Sequence, residues 1–339
     1  MGCLTVRITV RPPLMYGCGC TTGTLETVMP RLRTAPLQRS QRLTASRDRR
    51  LATVGAYITL TKPRIIEQLL ITTIPTMFVA ARGVPGIWLM MATFVGGTLA
   101  AAGANAINMV WDRDIDALME RTKHRPLVTG VITPRAALTF AIGLEVLAFG
   151  WLWWQVNLLS AVLAVAACLF YVFVYTIWLK RISVENIVIG GAAGAVPVLI
   201  GWSAVRNSLS LAPVVLFAVI FVWTPPHFWA LAVKYKDDYG KAGVPMLPVV
   251  ASLTATAKRI IAYTSVLWVL SIVFYEVGGM GFIYLGAAIV LGAAFLAYAI
   301  ALYRDGSVKT AMRLFIYSNA YVTLLFGSMM LDQVVKVGR

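Results

Sequence analysis

Nine apolar runs, each near the ~20-residue length that carries a helix across a bilayer, constrain this chain more than any other feature. They lie between charged or Pro/Gly-rich breaks at about 66–83, 87–110, 135–155, 158–179, 187–205, 211–233, 259–277, 281–303 and 312–334. In hydrocarbon the backbone polar groups have no water to bond, so such runs must be helices. They are also too long for the strands of a membrane barrel. Composition agrees: 59% of residues are hydrophobic and 13% charged, whereas a soluble domain carries about 25% charged residues. The expected fold is an all-α polytopic membrane protein with nine transmembrane helices.

The net charge of +16 invites a nucleic-acid reading, but its placement argues against one. With the N-terminus in the cytoplasm, 1–65 and the connections 2–3, 4–5, 6–7 and 8–9 lie inside. Every Lys and Arg falls in or beside these segments except Arg82, Arg206, Lys336 and Arg339. Such asymmetry is a topology signal, with the acidic leaflet surface as a second partner. It places the C-terminus outside. Residues 1–54 are expected to form a basic, disordered tail, and 55–335 the membrane domain. Residues 1–50 hold nine Arg, no Lys and two acids. That composition is like a transit peptide, and a plain basic tail or a start upstream of the true one fits equally. Cys3, Cys18 and Cys20 in the tail and Cys168 in the fourth span make no disulfide scaffold and no metal-site spacing.

The stretch "NAINMVWDRDIDALMERTKHRPL", 105–127, turns from apolar to acidic within eight residues. Asn108, Asp112 and Asp116 are spaced i, i+4, i+8, so on a helix they line one face, while Asp114 points elsewhere. Acids at a membrane edge are costly enough to be functional candidates. Two carboxylates and an amide oxygen suit Mg²⁺, which takes a partial cage and completes it with water and phosphate oxygens. The pattern suggests a diphosphate held through Mg²⁺. Arg121, Lys123 and Arg125 follow in the loop, where Arg suits phosphate contact.

The sixth span ends in a similar way. "WTPPHFWALAVKYKDDYGKAGVPMLPVV", 223–250, runs from an apolar helix into Asp237 and Asp238, then Lys241 and a Pro-bearing loop. Correspondence between the ends of spans two and six is the mark of a fold built from related halves. It predicts two four-helix units plus a ninth helix around a central cavity, with two acidic clusters holding two Mg²⁺ ions and one diphosphate. A cation-coupled transporter would also pair acids at a repeat interface, but its site would lie near the midplane.

The combination of Asn108/Asp112/Asp116, "RTKHRPL", "YTIWLKR" (175–181), "PPHFWALA" (225–232) and "DDYGKAGVPMLP" (237–248), with "LTKPRI" (60–65) and "GGAAGAVPVLIGW" (190–202), resembles the UbiA superfamily of intramembrane aromatic prenyltransferases. The resemblance covers about 55–335, and the second acidic stretch is similar to its heme-modifying branch. It implies transfer of the farnesyl group of farnesyl diphosphate to a vinyl group of heme b, with addition of water to give heme O. A related transfer to a quinone precursor is the nearest alternative. The implied site has Asp112, Asp116, Lys180 and Arg121 as catalytic residues. Asn108, Asp112, Asp116, Asp237 and Asp238 are the metal ligands, and Arg125, Lys241, Tyr175, His227 and Arg64 bind substrate. Heme A synthase or oxidase assembly factors are the expected protein partners, and a bacterial plasma membrane is favoured over a mitochondrial inner membrane. Two departures stand out. The superfamily's second motif often has aspartates four apart, yet Lys241 and Ala242 occupy those positions here. Tyr175 and Lys180 are five apart rather than four.

Overall fold

The computed structural model describes residues 52–337. Among them are nine helices long and apolar enough to cross a membrane: Pro63–Ala81, Ile87–Trp111, Pro134–Gln155, Leu158–Ile182, Asn186–Arg206, Leu211–Lys234, Leu253–Val277, Phe282–Asp305 and Val308–Val335. These are spans one to nine. Spans seven and nine begin earlier than their apolar runs suggest. Lys258 and Lys309 read as breaks in the sequence, but they sit inside the helices, where long basic side chains reach from an apolar stem toward water. The start of span seven is fixed by Ser252, whose Oγ accepts the Ala255 N–H at 3.2 Å, a helix N-cap. A shorter helix, Ala52–Thr61, precedes span one, so residues 52–54 of the expected tail are helical. The remainder of that tail, with Cys3, Cys18 and Cys20, lies outside the described residues.

Consecutive spans pack on each other within two groups. Spans two, three, four and five form one, and spans six, seven, eight and nine form the other, closed by contact of nine with six. Span one packs on spans two, five and nine, and spans five and six also meet. Close approach depends on small residues where helices cross. Gly201 of span five faces the Thr73 carbonyl of span one so tightly that a Cβ would overlap it. Glu145, in the middle of span three, lies on Gly103 of span two and bonds Cys168 of span four.

Span four is not α-helical throughout. Phe170–Leu179 is a π-helix, and its last bond runs from the Lys180 N–H to the Tyr175 carbonyl. A π-helix bonds i to i+5, so residues five apart stand on one face, as residues four apart do on an α-helix. The five-residue spacing of Tyr175 and Lys180, which departs from the superfamily pattern, is absorbed by this change of winding.

Candidate functional site

The first acidic motif sits where span two breaks. Span two ends at Trp111, Asp112 caps it, and a short helix, Arg113–Leu118, continues the chain. The break does not disturb the stripe: the Asp112 N–H bonds the Asn108 carbonyl at 2.9 Å and the Asp116 N–H bonds the Asp112 carbonyl at 2.8 Å. Asn108, Asp112 and Asp116 are 3%, 1% and 3% exposed. Asp114 faces away, 59% exposed at its side chain, and pairs with Arg181 at 2.7 Å. The hydrogen bonds from Arg181 hold the Asp114 carboxyl down at about 2, outweighing its slight desolvation.

Buried carboxylates are stable only when paired and hydrogen-bonded; two bases from different segments meet these two, and a third meets Asn108. Lys180, placed by the π-helix of span four, donates to Asp112 Oδ2 in a short contact. Arg125, in the loop after the motif, donates to Asp116 Oδ2 at 2.5 Å. Thr122 holds the loop with a hydrogen bond to the Asp116 carbonyl at 3.0 Å. Lys62, just before span one, donates to Asn108 Oδ1 at 2.7 Å. Asn108 in turn donates through Nδ2 to Asp112 Oδ2 at 2.8 Å and to Thr176 Oγ1 at 3.0 Å.

Lys62 is the residue that the sequence did not single out. It stands in the left-handed region, φ 53° and ψ 64°, although it has a side chain and precedes Pro63. Both features disfavour that conformation. Such strain persists where surrounding bonds fix it. Here Asn105 Nδ2 holds the preceding Thr61 carbonyl at 3.0 Å, and Asn108 holds the Lys62 ammonium. Burial, then the charges of Arg125 and Lys180, lower that ammonium to about 7 against the pull of Asp112 and Asp116. Arg64, expected from the same "LTKPRI" stretch, is exposed, while the elbow at Lys62 brings the lysine to Asn108.

The second acidic end is built differently. Asp237 is exposed and Asp238 half-buried on the short helix Lys236–Lys241, and neither carboxylate forms an ion pair among the described residues. Lys241 is exposed. The two ends nevertheless meet. The Arg121 guanidinium lies over the Tyr235 ring, 5.3 Å from its centroid, and also bonds Tyr239. Burial raises the Tyr239 hydroxyl, and Arg121 and Arg125 draw it back. Tyr239 packs with Tyr175 around Ile115, Met119, Ala232 and Val244. Tyr175 itself packs so closely on Gly190 of span five that a Cβ there would overlap its ring. Neither Tyr235 nor Tyr239 was singled out in the sequence. Their i, i+4 spacing across the acidic pair was the available signal.

The arrangement fits a divalent cation with a diphosphate. Asp112 Oδ1 is buried with no hydrogen-bond partner, and carboxylate and amide oxygens are the donors Mg²⁺ takes. No three His, Cys, Asp or Glu side chains among the described residues stand close enough to hold a metal by themselves. An ion here therefore needs oxygens from substrate and water, as Mg²⁺ sites commonly do. The buried cluster sets three bases against two carboxylates, an excess that an anion answers.

A helical membrane bundle with a buried acid–base cluster at the ends of its spans is the architecture of an intramembrane prenyltransferase, and residues 69–325 match the UbiA prenyltransferase family. The chain belongs to that family. It is 48% identical over 331 residues to the protoheme IX farnesyltransferase of Kineococcus radiotolerans, covering 91% of this chain and 98% of the relative. It is 52% identical over 288 residues to that of Mycobacteroides abscessus, covering 84% and 91%. Among solved structures, a digeranylgeranylglyceryl phosphate synthase shares the fold with a TM-score of 0.69 at 18% identity, over 84% of this chain and 99% of that one. A UbiA homolog from Archaeoglobus fulgidus bound to DMAPP and Mg²⁺ does so with 0.59 at 18% identity, over 80% and 98%. The family sets aside the transporter reading.

Proposed function

We propose that the chain transfers the farnesyl group of farnesyl diphosphate to a vinyl group of heme b, water adding at the same vinyl to give heme O and diphosphate. Support comes from relatives at about half identity over most of the chain that carry the name protoheme IX farnesyltransferase. The observation that carries the chemistry is the open, buried Oδ1 of Asp112 inside a cluster with surplus basic charge. Bound Mg²⁺ supplies charge neutralisation to the leaving diphosphate. Asn108, Asp112 and Asp116 would hold one ion, and Asp238 with Asp237 a second.

This chain's own residues do the rest. Lys180, Arg125 and Lys62 already face the buried oxygens, and turn to the diphosphate when it arrives. Arg121 and Lys241 meet it from the loop side. Together they stabilise charge that grows as the allylic C–O bond breaks, from positions fixed before reaction. The apolar spans hold the farnesyl chain and keep water from the reacting carbon. The terminal vinyl carbon forms the new C–C bond as diphosphate departs with the electron pair. Water then bonds the inner vinyl carbon and loses a proton, for which the released diphosphate is the nearest base.

The enzyme is placed in a bacterial plasma membrane with its N-terminus and both acidic ends on the cytoplasmic side, as the Lys/Arg distribution supports. Heme A synthase or oxidase assembly factors are the protein partners this chemistry calls for. The test supplies purified protein with labelled farnesyl diphosphate, Mg²⁺ and either heme b or an aromatic acid precursor of quinones. Label in a heme O product is the expected result. Label in the aromatic acid alone would overturn the reading in favour of the quinone branch.

A further inference from the structure

His227 lies in span six, seven residues before its end at Lys234, and is 8% exposed. Its ring is held by aromatic neighbours: Trp223 stacked at 4.3 Å, Phe315 at 4.7 Å and Phe228 edge-on at 5.1 Å. Nδ1 stands 2.7 Å from Ser318 Oγ of span nine. That hydroxyl donates its proton to the Phe315 carbonyl at 2.6 Å. A hydroxyl has one proton to give; with that proton on the Phe315 carbonyl, the Ser318 oxygen accepts from His227. Nδ1 therefore carries the imidazole hydrogen, and Nε2 is left as a bare lone pair. The Ser318 carbonyl is itself fixed by the Trp223 Nε1–H at 2.9 Å. Nε2 makes no hydrogen bond among the described residues.

This is how a protein prepares a histidine to bind a metal. A ligating imidazole donates its other N–H to an oxygen that sets its tautomer and orientation. No resident metal is called for, since the acceptor substrate carries an iron that neutral imidazole binds. Resting on the proposed function, we infer that His227 Nε2 is the axial ligand of the heme b iron and that Ser318 is the positioning residue that presents it. His227 stands seven residues, about 10 Å along the helix, before the end of span six at Lys234. A macrocycle held by its iron at His227 thus extends toward the diphosphate-binding ends and presents its vinyl edge there.

The experiment titrates ferric heme b into purified full-length protein in detergent and records absorption and electron paramagnetic resonance spectra. Wild type is expected to show imidazole-ligated iron. His227→Ala should lose that signature, and free imidazole should restore it. Ser318→Ala should weaken heme retention about 10- to 100-fold, the usual cost of losing such an outer partner, while Ser318→Thr, which keeps the hydroxyl, should recover it. Equal loss in Ser318→Ala and Ser318→Thr would make Ser318 a packing residue and overturn its role. Identical spectra for wild type and His227→Ala would overturn the ligand assignment. Farnesyl transfer to heme b is measured in the same wild-type preparation: if it proceeds while the spectra are identical, only the iron ligand fails. If no heme is farnesylated, the proposed function fails on its own account.

Discussion

Two helix ends in this protein read alike in sequence and differ in structure. Each brings aspartates, then bases, then a Pro-bearing loop to the same face of the membrane. At the end of span two the carboxylates are buried and met by Lys180, Arg125 and, through Asn108, Lys62. At the end of span six, Asp237 is exposed, Asp238 is half-buried, and neither has an ion partner among the described residues. The contrast separates two ways of making an anion site. The first is assembled beforehand, so its groups need little reorganisation during reaction. The second leaves Asp237 exposed and Asp238 half-buried, where an ion would have to draw them in. Arg121, resting on Tyr235 and bonded to Tyr239, spans the two.

The largest effect is expected where preorganisation is greatest. Asp112→Ala should lower the rate of heme O formation at saturating Mg²⁺ by about 10²–10³, the cost of one preorganised electrostatic group. Near-normal turnover in that variant would remove the metal role and, with it, the contrast between the ends. Asp238→Ala should cost less and should be partly recovered by raising Mg²⁺, because a half-buried carboxylate contributes by recruiting an ion. Losses of equal size, indifferent to Mg²⁺, would mean that both ends work as preformed sites.

Lys62 and Arg64 give a sharper comparison within one turn of chain. Lys62→Gln should raise the KM for farnesyl diphosphate and lower kcat, since the ammonium donates to Asn108 Oδ1 beside the buried carboxylates. Arg64→Gln should leave both near wild type. The reverse order would return the role to Arg64 and make the strained elbow a purely structural feature.

These two residues also show how far the sequence could be read. The spans were legible because hydrocarbon imposes a length and a composition on each helix. The stripe of Asn108, Asp112 and Asp116 was legible because it depends on helical spacing alone, and it survives the break at Asp112 through two continuing backbone bonds. Which base meets which acid was not legible. That Lys62 rather than Arg64 reaches Asn108 depends on a left-handed residue before a proline, a conformation local preference argues against. Thr176 and Lys180 reach the site because span four winds as a π-helix through Phe170–Leu179. From the sequence, the five-residue step from Tyr175 looked like a departure from pattern. It falls on a π-helix, where residues five apart share a face. Burial at one end and exposure at the other came from tertiary packing, which no spacing rule encodes.

The smallest effect is expected at Asp114, two residues from either buried carboxylate. Its side chain is 59% exposed and its partner Arg181 33% exposed. Exposed ion pairs contribute roughly 0–1 kcal/mol, so Asp114→Asn should barely move thermal stability. The position also isolates facing from proximity. Asp114 shares the helix end, the loop and the local charge of its neighbours, and differs only in pointing toward Arg181 and solvent rather than toward Asn108 and Lys180. Should heme O formation in Asp114→Asn stay within a few-fold of wild type while Asp112→Asn fails, orientation on the helix decides which aspartate works. A loss at Asp114 as deep as that at Asp112 would instead show that the Arg181 pair holds the short helix Arg113–Leu118 in place. The first acidic end would then owe its preorganisation to an exposed contact, and burial would no longer be what distinguishes it from the second.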